Sequence, residues 1–377
     1  MEGPDAKNGF SETGTHVPGD EALKLSVTRE RLFLLVVCLA QLFAFAGLAQ
    51  TFSPVLIISD YFDEQNPGEI SWHTAAYMMV LGSVILPAGR LGDMFGHKKL
   101  FVIGWIWFSV LSFITGFSYA GGPTMLSATR GLQGIAPAVL VPNGIALLGR
   151  NFPIGMKRAT ALAIFGGCGS VGLVMGVVFS SILAQLVWWP WAFWVMAMAC
   201  ILICGLAQVC IPPDTSDTSG PESRDQFDLL GCLTGVAGLL LINFALNQAP
   251  VMGWHVAYVP ILLAVGIILM AIFVHVELNV ALKPLVPLRG LHRDAAYTLA
   301  CIAAGWASNG VWSYYFFLFT LSIRGDSALS TAAQICPVAF IGFAAAIAVP
   351  FILKRVKIPY VSSSKPDLGD QTADKFP

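Results

Sequence analysis

Long apolar runs separated by short polar connections are the feature that most constrains this sequence. A helix needs roughly 20 mostly apolar residues to cross the hydrocarbon core of a bilayer. Only 11% of the 377 residues are charged, whereas soluble domains average about 25%. We therefore predict an all-α polytopic membrane protein. The ten candidate spans cover residues 32–57, 72–87, 100–119, 124–148, 159–186, 191–211, 229–246, 256–276, 296–321 and 331–353.

Basic residues fall almost entirely on alternate connections between these runs. Because cytoplasmic connections collect lysine and arginine, the asymmetry predicts a multi-pass protein with both termini in the cytoplasm. The opposite side receives only Arg324, and its first connection carries Asp60, Asp63, Glu64 and Glu69 instead. The basic side receives Lys24, Arg29, Arg31, Arg90, Lys98, Lys99, Arg150, Lys157, Arg158, Arg224, Lys283, Arg289, Arg293, Lys354, Arg355 and Lys357.

Composition also divides the chain into regions. Residues 1–31 and 354–377 are polar, and we expect two disordered cytosolic tails. Residues 212–227 hold three prolines among Ser, Thr and mixed charges, which predicts a cytosolic linker. This linker separates six spans in residues 32–211 from the four spans that follow.

Several function classes lack the residues they need. The net charge is −1 and the cations follow the topology, so we expect no nucleic-acid partner. The eight cysteines lie in or at the ends of apolar runs without zinc-site spacing, which indicates buried hydrophobic residues rather than a metal site or disulfides. There is no phosphate-binding motif, nucleophile elbow or HExxH sequence. We expect neither an enzyme nor a cofactor.

The fourth run contains a charge that is costly to bury. Arg130 lies about six residues inside it, where insertion of a guanidinium costs about 2.5 kcal/mol or more. This cost favours a functional site that faces the bundle interior, and the alternative is a side chain that extends to the outer surface. Gln133 lies one short turn away. Other amides within or near spans, which either line a substrate cavity or tie helices together, are Gln41, Gln50, Asn143 and Asn309.

Small residues in the fifth run predict close helix packing. Gly172 and Gly176 have the four-residue spacing that lets two helix backbones approach each other. Prolines within other runs predict kinks. Together these features are typical of a bundle whose helices move against one another.

The polar stretch from residue 89 to residue 99 joins the second and third runs and concentrates charge and glycine at one joint. Its distinctive residues are Gly89, Arg90, Leu91, Asp93, Gly96, His97, Lys98 and Lys99. The stretch resembles the signature between the second and third helices of the major facilitator superfamily, roughly G-x-L-a-D-r-x-G-r-k-k. Likewise, Arg130, Gln133 and Gly134 resemble the fourth-helix motif R-x-x-q-G of that family.

The resemblance implies a major facilitator fold with a complete N-terminal six-helix bundle and about four further helices. Residues 228–276 would be two extra linker helices, and residues 277–353 the incomplete start of the C-terminal bundle. The chain is similar to the fourteen-helix drug:proton antiporter branch, and to fungal aminotriazole-resistance proteins within it. This implies efflux of a small organic compound, a drug, toxin or secondary metabolite, at the plasma membrane in exchange for protons.

The same resemblance implies roles for the motif residues. The 89–99 stretch would gate at the cytoplasmic face, Arg130 would couple or bind, and Gly172 and Gly176 would belong to the fifth-helix glycine motif. Two features depart from the family pattern. Residues 166–181 contain no proline, and the first span contains no acidic residue.

Compared with the family pattern, the chain stops after two helices of the second half. We expect a truncated gene model or a natural short form, and a non-transporting membrane protein is the alternative function. Asp93 would then pair locally with Arg90 or Lys98 while lacking part of its contact with the second bundle.

Overall fold

The computed structural model describes residues 26–213, 228–281, 285–286, 288–290 and 292–355, and the regular structure there is helical. Most of the predicted tails and linker lie outside these residues. A 3₁₀ turn covers Leu288–Gly290 and a π-helical turn covers Phe319–Ile323. The helices are α1 (Val27–Ala49), α2 (Val55–Phe62), α3 (Pro67–Phe95), α4 (His97–Gly116), α5 (Ser118–Gln133), α6 (Ile135–Asn151), α7 (Met156–Leu186), α8 (Trp191–Cys210), α9 (Leu229–Met252), α10 (Tyr258–Asn279), α11 (Arg293–Leu318) and α12 (Ala328–Arg355).

Nine helical stretches in the described residues are long and apolar enough to cross a membrane, with α5 and α6 counted together. The prediction of an all-α polytopic protein is confirmed, but the count of ten spans is not. The exception is the run 296–321, whose helix α11 has the length but not the hydropathy. Polar residues such as Ser308, Asn309 and Ser313 dilute its apolar character.

The first predicted run is two helices rather than one. Helix α1 begins at Val27, before the apolar run, because Ser26 Oγ accepts the amide of Arg29 at 3.4 Å and caps the helix. It ends at Ala49. Pro54 precedes α2 and has no amide hydrogen with which to continue the helix. The five residues between α1 and α2 therefore turn the chain at this end of the bundle.

The sequence suggested that residues 89–99 form a polar link of several residues. The structure shows a different arrangement. Helix α3 continues through the motif to Phe95, and α4 begins at His97. Only Gly96 separates them, with φ at 96°, a conformation that residues with a side chain rarely adopt. The motif side chains are therefore fixed on two helix ends that meet at a single glycine.

The helix packing involves a first group, α1 and α3 to α8, and a second group, α9, α10 and α12, that packs against the first. Helix α1 packs on α6 and α7, α4 packs on α6 and α8, and α3 packs on α5 and α6. The main buried cluster includes Phe33, Phe101, Trp105, Phe108 and Phe165. Helix α12 packs along α7, and the hairpin of α9 and α10 lies against α3.

Two glycines of α7 set the distance between α7 and α1. A Cβ atom at Gly172 would overlap the carbonyl oxygen of Leu42, and one at Gly176 would overlap that of Ala46. The four-residue spacing thus serves backbone contact along one helix face.

Candidate functional site

Arg130 is fully buried near the end of α5, where α1, α3 and α5 meet. Its guanidinium donates to three acceptors: Nε to the carbonyl of His73 at 3.1 Å, and the two terminal nitrogens to Gln133 Oε1 at 2.6 Å and to the carbonyl of Leu48 at 3.2 Å. Its Cζ atom lies 4.5 Å from the ring centroid of Tyr77. The side chain faces the bundle interior rather than the outer surface.

No carboxylate pairs with Arg130 among the described residues. The positive charge is stabilised by dipoles instead. Leu48 lies in the last turn of α1, whose final carbonyl groups have no partner within the helix and carry partial negative charge. The ring of Tyr77 adds a cation–π contact. Arg130 is thus a buried cation that is held by carbonyl groups, an amide and an aromatic ring.

Gln133 and Gly134 complete this arrangement. Gln133 accepts from Arg130 and donates through Nε2 to Ser112 Oγ of α4 at 2.7 Å. Gly134 separates α5 from α6, and a Cβ there would overlap the carbonyl oxygen of Tyr77. The glycine of the motif thus lets α3 approach the joint, and Arg130, Gln133 and Gly134 are brought together.

The second cluster lies at the opposite end of α3, around Asp93. One carboxylate oxygen lies 3.3 Å from His97 Nε2 and 3.3 Å from a terminal nitrogen of Arg150, and the other lies 4.0 Å from Arg90. A carboxylate in the last turn of a helix opposes the helix dipole, so the surrounding cations offset an unfavourable position. The pair with Arg90 was expected, whereas Arg150 comes from α6.

Asn143 of α6 holds the joint between α3 and α4. Its Oδ1 lies 2.7 Å from His97 Nδ1, and its Nδ2 donates to the carbonyl of Val139 at 2.8 Å and to that of Ala88 at 3.4 Å. Asn143 is fully buried and its amide is fully used. The sequence had suggested either a cavity-lining residue or a tie between helices. The structure places Asn143 in the joint between α3 and α4.

Lys98 and the remaining motif residues surround the same joint. Lys98 Nζ donates to the carbonyl groups of Gln208 at 3.1 Å and Ile211 at 2.5 Å, at the end of α8. Gly92 is buried against Asn143, whereas Gly89 is half-buried and Lys99 is exposed. Leu91 is half-buried on α3. The motif thus ties α3, α4, α6 and α8 together at one end of the bundle.

A cavity of about 210 Å³ lies between α1, α7 and α8. Its walls are apolar apart from Ser180 and Gln50, whose Nε2 donates to the carbonyl of Ala192 at 2.8 Å. Gln50 Oε1 is buried without a hydrogen-bond partner among the described residues. Drug-sized sites measure about 300–1,000 Å³, so this cavity fits part of a compound.

The other two amides have different surroundings. Gln41 Oε1 of α1 is buried and has no hydrogen-bond partner among the described residues. Asn309 is exposed on α11 and does not border the cavity between α1, α7 and α8. Of the four amides proposed from the sequence as cavity residues, only Gln50 borders the cavity described above.

Sequence reasoning missed a buried pair at the end of α3 opposite Asp93. His73 Nε2 lies 2.7 Å from Glu64 Oε2, and His73 Nδ1 lies 3.1 Å from Ser127 Oγ of α5. Glu64 precedes α3 in a polar connection, where an acidic residue is expected in water. A histidine six residues inside an apolar helix was the available signal.

The helices and the two motif clusters are those of a polytopic membrane protein of the transporter class. The family model of the Major Facilitator Superfamily matches residues 34–363. The chain belongs to this superfamily, as the motifs predicted.

Curated relatives extend this result. The chain is 43% identical over 333 residues to a low affinity ammonium transporter of Saccharomyces cerevisiae. The aligned region covers 88% of the chain and 64% of the relative. It is 37% identical to the efflux pump terJ of Aspergillus terreus, over 91% of the chain and 67% of the relative. It is 32% identical to the aminotriazole resistance protein of S. cerevisiae, over 87% and 61%. The chain thus spans about two thirds of the length of these relatives.

Proposed function

We propose that this protein exports a small organic compound across the plasma membrane in exchange for protons, with both termini in the cytoplasm. The observation that carries the proposal is Arg130, a guanidinium buried at the centre of three helices without an acidic partner among the described residues. A charge in this setting costs at least about 2.5 kcal/mol, and a structural tie does not need it. Charged residues inside membrane bundles commonly mark substrate or ion pathways.

The cluster around Asp93 supports a moving bundle. Its ion pair with Arg150 is about half-exposed and lies at a joint where α3 and α4 meet at one glycine. Exposed ion pairs contribute about 0–1 kcal/mol each, so they can break and re-form during a conformational cycle. We infer that this joint gates the cytoplasmic end, as the family resemblance implies.

The proposed class of compound is based on the walls of the cavity beside Gln50 and on the descriptions of the relatives. The cavity beside Gln50 has walls that are apolar apart from Gln50 and Ser180, which suits an amphiphilic organic molecule. Two of the relatives are described as an efflux pump and an aminotriazole resistance protein. The relative described as an ammonium transporter supports ammonium as a second candidate substrate.

The first prediction concerns Arg130. Arg130→Ala leaves the three acceptors unpaired, and Arg130→Lys keeps the charge but cannot serve all three, because an ammonium lacks the planar fork of a guanidinium. When the protein is expressed in a pump-deficient yeast strain, we expect export per molecule in the membrane to fall about tenfold or more in both variants, which corresponds to about 1.4 kcal/mol. Export is measured over a compound panel that includes ammonium and aminotriazole.

Arg324→Ala is the matched control, because Arg324 is an exposed arginine in the connection before α12. It should export at the wild-type rate. Unchanged export by Arg130→Lys at wild-type abundance would show that Arg130 is only a structural tie. If the wild-type protein exports no compound in the panel and takes up ammonium instead, the second candidate replaces the first.

A further inference from the structure

The end of α3 opposite the Asp93 cluster contains a chain of three hydrogen-bonding side chains that transport through Arg130 does not require. Glu64 lies between α2 and α3, His73 is six residues inside α3, and Ser127 lies on α5. The carboxylate and the imidazole are 2.7 Å apart, and the imidazole and the hydroxyl are 3.1 Å apart. The side chain of His73 is 1% exposed and that of Glu64 is 8% exposed.

The partners of His73 satisfy the ring in both of its charge states. In the neutral ring, Nε2–H donates to Glu64 and Nδ1 accepts the hydroxyl hydrogen of Ser127. When a proton adds to Nδ1, the new N–H donates to Ser127 Oγ, and the hydroxyl hydrogen rotates away. Nε2–H still donates to the carboxylate, which is now the counter-ion of the imidazolium. The ring therefore gains a charge without losing a hydrogen bond, which is uncommon for a buried group.

The charged groups that the structure places against His73 are Glu64 and Arg130. Arg130 approaches the other side of the residue, since its Nε donates to the backbone carbonyl of His73 at 3.1 Å. The remaining contacts are uncharged: Thr51 Oγ1 lies 3.5 Å from the same carbonyl, and the ring of Phe62 lies 6.4 Å from the imidazole ring. A proton taken up at His73 thus places a second positive charge on the residue whose backbone holds the first.

We propose that His73, with Glu64 and Ser127, is a buried proton-binding site that exchanges with water on the side of Ser127, which is half-buried. The proton reaches the ring on the side where Nδ1 faces Ser127 Oγ, binds Nδ1 and leaves by the same route. The proposal deepens the proposed function, on which its coupling to export rests: charging His73 repels the guanidinium of Arg130 and favours its release from the His73 carbonyl. Proton binding itself does not depend on export.

A purely structural role for the same three residues makes a different prediction. A clasp that only fixes the α2–α3 connection to α5 would keep one protonation state across the working pH range. A serine as the third partner distinguishes the two roles. Its hydroxyl can donate or accept a hydrogen bond, and proton binding at Nδ1 requires both, whereas a fixed clasp requires only one.

The test is a histidine titration in the reconstituted wild-type protein. With ring-labelled histidine, the His73 signal is identified by its disappearance in His73→Gln, and its charged fraction is followed between pH 5 and pH 8. We expect His73 to change charge in this range. In Ser127→Ala the ratio of charged to neutral His73 at a fixed pH should fall about tenfold, because a charged donor loses more than a neutral acceptor when its partner is removed. Ser127→Thr keeps the hydroxyl and should match the wild type.

Glu64→Gln removes the counter-ion and should lower the ratio of charged to neutral His73 by about tenfold or more. A His73 signal that keeps one charge state from pH 5 to pH 8 would overturn the proposal, as would equal titrations in Ser127→Ala and Ser127→Thr. The same samples separate this proposal from the proposed function. If His73 titrates as expected but the vesicles transport no compound, the proton site stands and the export function fails.

Discussion

At the residue scale, the two motif clusters are held together by the hydrogen bonds of a few buried polar side chains. Arg130 is satisfied by carbonyl groups and an amide instead of a carboxylate, and Asn143 uses its whole amide on α3, α4 and its own helix. Glycine makes these contacts possible. Gly134 allows α3 to approach α5 and α6, and Gly92 leaves room for the bond between Asn143 and His97.

Gly92 and Gly89 provide a matched pair within one motif. A Cβ atom at Gly92 would overlap Asn143 Oδ1, whereas one at Gly89 would meet only Pro142 Cβ at an ordinary 3.5 Å. We expect Gly92→Ala to displace the buried amide and to lower the free energy of unfolding by about 1–3 kcal/mol. Gly89→Ala should be neutral or slightly stabilising, because alanine favours helix. Thermal unfolding of the purified protein in detergent measures both, and equal melting temperatures would contradict the packing described at Gly92.

Some of this residue-level detail could be predicted from the sequence. The burial cost of Arg130 indicated an inward-facing side chain, and the pairing of Asp93 with Arg90 followed from their spacing. Arg150 and Asn143 could not be assigned to the same cluster, because their contacts with α3 and α4 cross about 50 residues of chain and depend on how α6 packs. The sequence placed Glu64 in the first outer connection but could not pair it with His73, since that contact depends on how α2 folds back on α3.

At the element scale, the contact between α1 and α7 depends on glycines that face a backbone. The carbonyl oxygens of Leu42 and Ala46 occupy the space that side chains at Gly172 and Gly176 would need. Close backbone approach of this kind favours association of helices in lipid, where apolar side chains gain little from leaving the bilayer. The cavity beside Gln50 lies along the same contact.

A second pair of variants tests this contact. Gly172→Ala should separate α1 from α7 and cost several kcal/mol of stability, since neither backbone can yield easily. Gly166→Ala, on the same helix with no atom within 4 Å of the added Cβ, should leave stability unchanged or raise it by up to about 1 kcal/mol. The amount of folded, monodisperse protein after solubilisation measures the difference. Equal yields from the two variants would refute the close approach.

The helices themselves were largely predictable from hydropathy, while their ends were not. Residues 89–95 read as a polar connection because charge and glycine are concentrated there, yet α3 continues through them, since their side chains find partners on α4 and α6. In the first run, hydropathy continued across Pro54 although the helix did not. Apolar composition predicts membrane depth, but backbone breaks depend on single residues.

At the scale of the whole molecule, α3 has the pair of Glu64 and His73 near its start and the ion pairs of Asp93 near its end, and Arg130 is buried between α1, α3 and α5. His73 lies near the start of this helix, Arg130 holds its backbone from α5, and the pairs of Asp93 surround its end. Helix α3 contacts α5, α6 and α9, so a shift of α3 would change its packing against all three helices. We infer that α3 links the proposed proton site, the buried cation and the joint at Gly96.

The most direct test of this account is compound flux in proteoliposomes that contain the complete protein, under an imposed pH gradient. With an acidic lumen, we expect the compound to accumulate inside in exchange for protons that leave, at least about tenfold faster than in protein-free vesicles. Arg130→Lys, or an ionophore that collapses the gradient, should remove this accumulation. Accumulation that is equal in protein-free vesicles, or that persists without the gradient, would contradict proton-coupled export.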